Sequence, residues 1–394
     1  METGPRLLCF PGYAAPFSGP HHFQPSIAMT HMPHPLKPRS GAALRAHFAK
    51  IVLLAWRGPG FNAALGLPYE ALAPHDHAPL PPKRYRAMAC ARQLFVFSDA
   101  GDLTHAATLF ASLRHYFQDT ENGGWFYSVD ANGGPLECQK DLYTHVFVVF
   151  ACAHYVARSG SKDAFAVLDE TAKLIETRFS NGSALLNAVL AEDFGATLEG
   201  PLQNPLMHLA EAWLAAREAT GDRAYDARLN ALAQIMAETF VHEPTGSIAE
   251  LPMGTPGNRL EPGHQFEWYF FAIGSGHAAF EAAGLNARLE RAFDFAVKHG
   301  VEEKTGGVWT AIDENGRVID ATQRIWAQTE YLRALATHGV TGDALSTQIE
   351  RFGERFLHAR GWIEALSGDG GIARAEMPST TPYHLATAYA ALPE

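Results

Sequence analysis

The chain has 394 residues, 47% hydrophobic and 19% charged, enough apolar material for a sizeable globular core. Its net charge of −11 argues against nucleic acid as a partner. The most apolar run, residues 146–156, is too short to cross a bilayer and is interrupted by His154, so no membrane segment is expected.

Residues 1–40 are rich in Pro, Gly and His and carry neither a helical nor a strand period. They read as a loose N-terminal extension, with Met29 or Met32 as alternative starts, ahead of one catalytic domain over 41–394. The four cysteines, Cys9, Cys90, Cys138 and Cys152, form no CxxC pair or regular framework. They read as free thiols of a reducing compartment, which suggests a cytoplasmic protein.

Beyond the extension the chain repeats. Glycine turns at Gly66, Gly123, Gly182, Gly246, Gly306 and Gly370 recur at spacings of 57 to 64 residues. An amphipathic helix precedes each turn, such as "HAATLFASLRHYF" or "LNALAQIMAETFV". A more apolar helix follows each one. In chain order these read "RYRAMACARQLFVFS", "DLYTHVFVVFACAHYVA", "NPLMHLAEAWLAARE", "GHQFEWYFFAIGSGHAAFEAA", "QRIWAQTEYLRALA" and "TPYHLATAYAAL". Helices apolar all round are buried helices. Two turns share a longer pattern, "GGWFYSVDANGGP" and "GGVWTAIDENGRV", whose alternating runs around an Asp-x-Asn-Gly turn predict β-hairpins. The unit is outer helix, turn, inner helix, repeated six times. This predicts an all-α (α/α)6 barrel with short β-hairpins in the inter-helix turns. An open solenoid is the structural alternative, and the aromatic inner set favours closure.

If the inner helices run in one direction, their first turns surround a single mouth. Falling there are Arg86, Arg92, Tyr143, His145, Asn204, Met207, His208, His264, Glu267, Arg324, Trp326, Glu330, Tyr383 and His384. One buried histidine is most often a hydrogen-bonded core residue. Several at matching repeat positions, beside tryptophan and arginine, suit a neutral sugar, whose ring faces stack and whose hydroxyls bond. The multiple lysines or glycine-rich loop of a phosphate site are missing. In "EPGHQFEW", His264 and Glu267 share one helix face after a Pro-Gly break. Three readings compete there: proton transfer, a core polar pair, or a metal site completed by His208. No HExxH is present, so proton transfer is preferred and no metal or other cofactor is expected.

The segments "ARQLFVFS", "GGWF", "KDLYTHVF", "NPLMHLAEAW", "EPGHQFEWYF" and "RIWAQTE" resemble the N-acylglucosamine 2-epimerase superfamily, which includes mannose isomerases, sulfoquinovose isomerase and cellobiose 2-epimerases. The resemblance runs from about Leu80 to His384. It implies the same barrel and metal-free chemistry at C1 and C2 of a reducing sugar. By motif it marks Arg92, Asn204, His208, His264, Glu267, Trp326, Glu330 and His384 as site residues. Met88 stands where several relatives carry a Trp.

Removing a proton from C2 of an open-chain aldose gives a cis-enediolate. This needs a base with a near-neutral pKa and a cation over the developing oxyanion. His264 and His384 are assigned the proton transfers, Arg92 the enediolate oxygens, and His208 ring opening. Glu267 is expected to orient His264, and Glu330 a neighbouring histidine. Tyr143, Asn204, Met207, Trp326 and Glu330 are the expected substrate contacts. D-mannose to D-fructose isomerisation is favoured; 2-epimerisation of N-acetylglucosamine or of cellobiose is the alternative. A glycosidase would need two carboxylic groups but would leave the histidines unexplained. A small sugar is the expected partner, and a homodimer the candidate assembly.

Overall fold

The computed structural model describes residues 35–182 and 185–394. Most of the expected loose extension, residues 1–34, lies outside the described residues. Its last part is docked: the Leu36 amide donates to the Leu357 carbonyl (3.1 Å), and Ser40 caps the first helix through the Ala43 amide (3.2 Å).

Twelve helical segments form two concentric rings. The outer ring begins with Gly41–His47, Phe48–Val52 and Leu53–Arg57 in continuous succession, the middle piece being a π-helical turn. It continues with Leu103–Phe117, Lys162–Arg178, Ala224–Thr239, Leu285–Gly300 and Gly342–Phe356. The inner ring is Ala87–Asp99, Leu142–Ser159, Gln203–Thr220, Pro262–Tyr269, Ile325–Thr337 and Thr381–Ala391. The sequence explains the division. In Gly342–Phe356 only one stripe is buried, including Leu345, Ile349, Phe352 and Phe356. In Ala87–Asp99 every residue from Ala87 to Ser98 is buried. A one-sided stripe suits the outer wall, and only an all-round apolar surface can line the inner ring. Local caps fix the starts: Asp102, Asp141 and Ser161 each accept an amide hydrogen three residues on.

The ring is closed, which excludes the solenoid. Strand Met377–Pro378 pairs antiparallel with Ala71–Leu72, joining the last repeat to the first. Arg45 Nη1 in the first outer helix donates to the Tyr389 and Leu392 carbonyls at the end of the last inner helix (2.9 Å each). Elsewhere the strand leading into an inner helix pairs with the hairpin of the next repeat: Arg84–Arg86 with Ser128–Asp130, Lys140–Asp141 with Val189–Leu190, and Gln323–Arg324 with Ala365–Leu366. The fourth junction is one bridge, Leu260 to Ile312. Between the third and fourth repeats a hydrogen bond from the Gln203 amide to the Glu250 carbonyl (3.2 Å) takes its place.

The predicted hairpins form at Ser128–Asp130 with Pro135–Glu137, and at Ala311–Ile312 with Val318–Asp320. All six marked glycines have positive φ. Gly370, however, lies in the hairpin nearer its inner helix, equivalent to Gly133 and Gly316, and not in the turn directly after the outer helix. The fourth inner segment is shorter than its pattern suggested. Pro262–Tyr269 passes into a π-helical turn, Phe270–Gly274, and the chain breaks before Ala278–Ala282 because Gly276 takes φ 60°. Cys90 and Cys152 are free and buried, but Cys138 is disulfide-bonded, which corrects the reading of four free thiols. Local spacing carries no record of a pairing distant in sequence. Among the described residues no helix is long and apolar enough to cross a membrane.

Candidate active site

The inner helix starts and the strands leading into them surround a cavity of about 420 Å³. Its lining includes Arg92, Tyr143, Asn204, His208, His264, Glu267, Arg324, Trp326 and His384, brought together from all six repeats. Three histidines stand there, each with a glutamate at Nδ1.

His264 is held from outside its helix. Its Nδ1 lies 2.7 Å from Glu250 Oε1. The Gln203 amide oxygen accepts from Trp268 Nε1 (2.9 Å), which turns Gln203 Nε2 toward both Glu250 oxygens (3.1 and 3.2 Å). Glu250 is therefore the acceptor for His264 Nδ1–H, and Nε2 is left to the cavity. Burial alone would lower the His264 pKa. The nearby Glu250 and Glu261 carboxylates outweigh it and push the imidazole up to about 9.

His384 differs. Its Nδ1 lies 3.0 Å from Glu330 Oε1, while Arg333 binds the other oxygen of Glu330 at 2.5 Å. Burial, with Arg92, His208 and Arg333 adding positive charge nearby, holds this imidazole well below its ordinary range. His208 Nδ1 lies 3.0 Å from Glu211, which accepts from the Tyr383 hydroxyl (2.6 Å). Burial, then Arg92, lowers His208 as well. The site thus holds one cationic and two neutral imidazoles at pH 7.

Trp326 links the two sides: its ring lies 4.9 Å from that of His264 and 5.8 Å from that of His384. The close approach requires Gly263. A Cβ there would come within 2.7 Å of the Trp326 ring and 2.8 Å of Ala327 Cβ. Arg92 is buried without a carboxylate partner. It donates to the Tyr143 hydroxyl (2.7 Å), sits 4.1 Å from the Phe147 ring centroid, and leaves Nε unpaired. The buried Asn204 side-chain oxygen is likewise unpaired. Both residues line the cavity, and a buried polar atom without a partner favours a polar neighbour.

Several expected residues serve elsewhere. Met207 is fully buried in the core, and Glu330 stands behind His384 without lining the cavity. Glu267 does not orient His264: its Oε1 is 3.9 Å from His208 Nε2 and 3.8 Å from Arg333. Burial and the adjacent Glu330 raise its pKa well above the ordinary carboxylate value. A residue three positions on was a sound guess for helix-face proximity, but the His264 ring turns toward the preceding loop. Arg86 is bound to Glu70 (2.7 Å). His145 is a structural histidine, accepting from the Trp125 amide (3.1 Å) and donating to the Asp141 carbonyl (2.8 Å). Sequence reasoning missed Gln203, Glu211, Glu250 and Arg333. The i,i+3 spacings of His208 with Glu211 and of Glu330 with Arg333 were available signals. Nothing local links Glu250 to His264.

Two side-chain groups bring donor atoms close enough to hold a metal ion: Glu250, Glu261 and His264, and Glu267, Glu330 and His384. In both, a histidine is already paired with a glutamate, His264 with Glu250 and His384 with Glu330, and an arginine stands beside the set, Arg259 for the first and Arg333 for the second. That pattern fits proton-handling dyads better than metal ligands.

The chain is an (α/α)6 barrel whose mouth collects histidine–glutamate dyads, a tryptophan and an arginine without a carboxylate partner. The chain matches the N-acylglucosamine 2-epimerase family over residues 74–388 and belongs to it. It is 28% identical to a mannose-6-phosphate isomerase of Rhizobium meliloti over 84% of this chain and 90% of that protein. A D-mannose isomerase of Thermobifida fusca is 29% identical over 57% of this chain and 60% of that one. A solved cellobiose 2-epimerase from Bacillus thermoamylovorans superposes with a TM-score of 0.79 at 18% identity, covering 89% of this chain and 98% of that one. The chain is a sugar isomerase or epimerase.

Proposed function

We propose that the enzyme is an aldose–ketose isomerase that converts unphosphorylated D-mannose to D-fructose through a cis-enediolate. The observation that carries this reading is the opposed proton state of two histidines flanking one indole. His384, neutral with Nδ1–H on Glu330, offers the Nε2 lone pair as the base that takes the C2 proton. His264, cationic on Glu250, offers Nε2–H as the acid for the sugar oxygens, and its conjugate base completes the transfer. Arg92, without a carboxylate of its own, faces the charge that develops on the enediolate oxygens, where a low-dielectric pocket strengthens the interaction. His208 and Asn204 hold the hydroxyls or assist ring opening.

The cavity lining mixes Glu199, Glu250 and Glu261 with Arg92, Arg259 and Arg324, and Arg259 is bound to Glu261 at 2.8 Å. The second reading, 2-epimerisation of a reducing disaccharide, draws on a neighbouring cavity of about 320 Å³ that shares Arg259 with the first. NMR of the purified enzyme in D2O separates the readings. Fructose formed from D-mannose, with no turnover of mannose 6-phosphate, establishes the proposal. A C2 epimer of cellobiose without ketose formation replaces it by the second reading.

A further inference from the structure

We propose that Arg333, which touches neither the cavity nor the sugar, is the positioning residue that makes His384 the base by keeping Glu330 an anionic acceptor for Nδ1–H. The inference rests on the isomerase reading for its catalytic meaning, but its structural content stands apart from any substrate. Arg333 is 1% exposed and lies three residues after Glu330 on the fifth inner helix. One guanidinium nitrogen is 2.5 Å from Glu330 Oε2 and 3.8 Å from Glu267 Oε1. Its planar group lies 4.0 Å from the Phe270 ring centroid and 5.2 Å from that of Phe271. Both rings belong to the π-helical turn Phe270–Gly274, so the irregularity in the fourth inner helix builds the arginine's seat.

A buried carboxylate needs such a countercharge. Burial pushes Glu330 up to about 7, with Arg333 the strongest opposing influence. Without the arginine Glu330 would take up a proton. It could then donate to His384 Nδ1, moving the ring hydrogen to Nε2 and removing the lone pair that faces the sugar. The other groups around His384 do not supply this control. Arg92 of the first inner helix, His208 of the third and Arg324 ahead of the fifth act on the ring through space. Tyr383 on its own helix donates to Glu211 of the third. Glu267 of the fourth lies 3.8 Å from the same guanidinium, and burial raises its pKa. Glu250, by contrast, is held by the neutral Gln203 and by His264 itself. At His384 a guanidinium supports the glutamate and the imidazole is neutral, whereas at His264 a second carboxylate, Glu261, lies beside the ring and the imidazole is a cation.

The test reads the ring nitrogens of His384 by ¹⁵N NMR in sugar-free enzyme, using Arg333→Met and the double variant Arg333→Met/Glu330→Gln. In the parent, His384 is expected to be neutral with hydrogen on Nδ1 at pH 8, above the Glu330 value of about 7. In Arg333→Met the hydrogen moves to Nε2, and turnover falls at least tenfold. In the double variant the glutamine oxygen accepts Nδ1–H and the parent pattern returns, which a merely structural role for Arg333 would not produce. Should the single variant fail to fold, the double variant still decides: the parent signal in a folded protein supports the proposal. An unchanged His384 signal in a folded Arg333→Met enzyme, or no restoration in the double variant, overturns it. Parent signals as described without turnover of D-mannose would instead fault the isomerase reading and leave the Arg333 assignment intact.

Discussion

The fourth and sixth inner helices each bring a histidine, paired with a glutamate from elsewhere in the chain, beside one indole, yet with different charge. At His264 the glutamate arrives from a loop, is braced by a neutral amide, and has a second carboxylate, Glu261, 3.7 Å from the ring. At His384 the glutamate comes from a neighbouring helix and is claimed by Arg333. A hydrogen bond to a carboxylate does not by itself make an imidazole cationic. What decides is the net charge of the surroundings after burial has been counted against the ion. His145 extends the comparison: bound only to backbone groups, it is pushed down to about 3 and has no chemistry.

The comparison breaks most sharply when a ring is removed. Replacing His264 or His384 by alanine is expected to lower kcat for mannose isomerisation by about 10²–10⁴-fold with the circular dichroism spectrum unchanged. A turnover near the parent's in either variant would remove that histidine from the mechanism. A smaller change sharpens the asymmetry. Glu250→Gln takes away the charge that sustains the His264 cation, so the alkaline limb of the kcat profile, expected near pH 9 in the parent, should move down. The acid limb, set by His384, should stay below pH 6.5. An alkaline limb that does not move would assign it to another group.

Smaller still is a change of packing alone. Gly263→Ala should displace Trp326 and cost about 1–3 kcal/mol in denaturant unfolding, with KM rising more than kcat falls. A further check is the pH dependence of stability. His105, His145 and His358, with folded values of about 4, 3 and 4, are neutral in the native state and charge on unfolding below pH 6.5. Their stabilisation is complete above pH 6.5 and is lost as pH falls toward those values, by at most about 1.4 kcal/mol per histidine for each pH unit. His264 has the opposite sign: its contribution is full below pH 6.5 and lost as pH rises through about 9. Chemical denaturation across pH 5–10 checks both directions.

Much of this was legible in the chain. Helical periodicity and glycine spacing specify two kinds of helix and six repeats, because burial on one face or on all faces leaves its mark in every turn of helix. The motif-bearing residues Arg92, His208, His264, Trp326 and His384 sit at inner helix starts for the same reason, and they meet at the cavity. Met207 and His145 share those positions but face the core. Helical spacing limits which residues are neighbours along one helix, but not which way the ring of packed helices turns each face.

By itself, then, the sequence determined the repeat, the buried and exposed helix faces and the set of polar residues that enter the mouth, since all of these follow from short-range spacing. Tertiary structure alone decided the partners. Glu250 meets His264 at the junction between the third and fourth repeats, where Gln203 binds Glu250 through both its backbone amide and its side chain. Glu330 meets His384 from a helix 54 residues away. Proton state depends on charges within a few ångströms in a dry interior, and those distances exist only once the ring has closed.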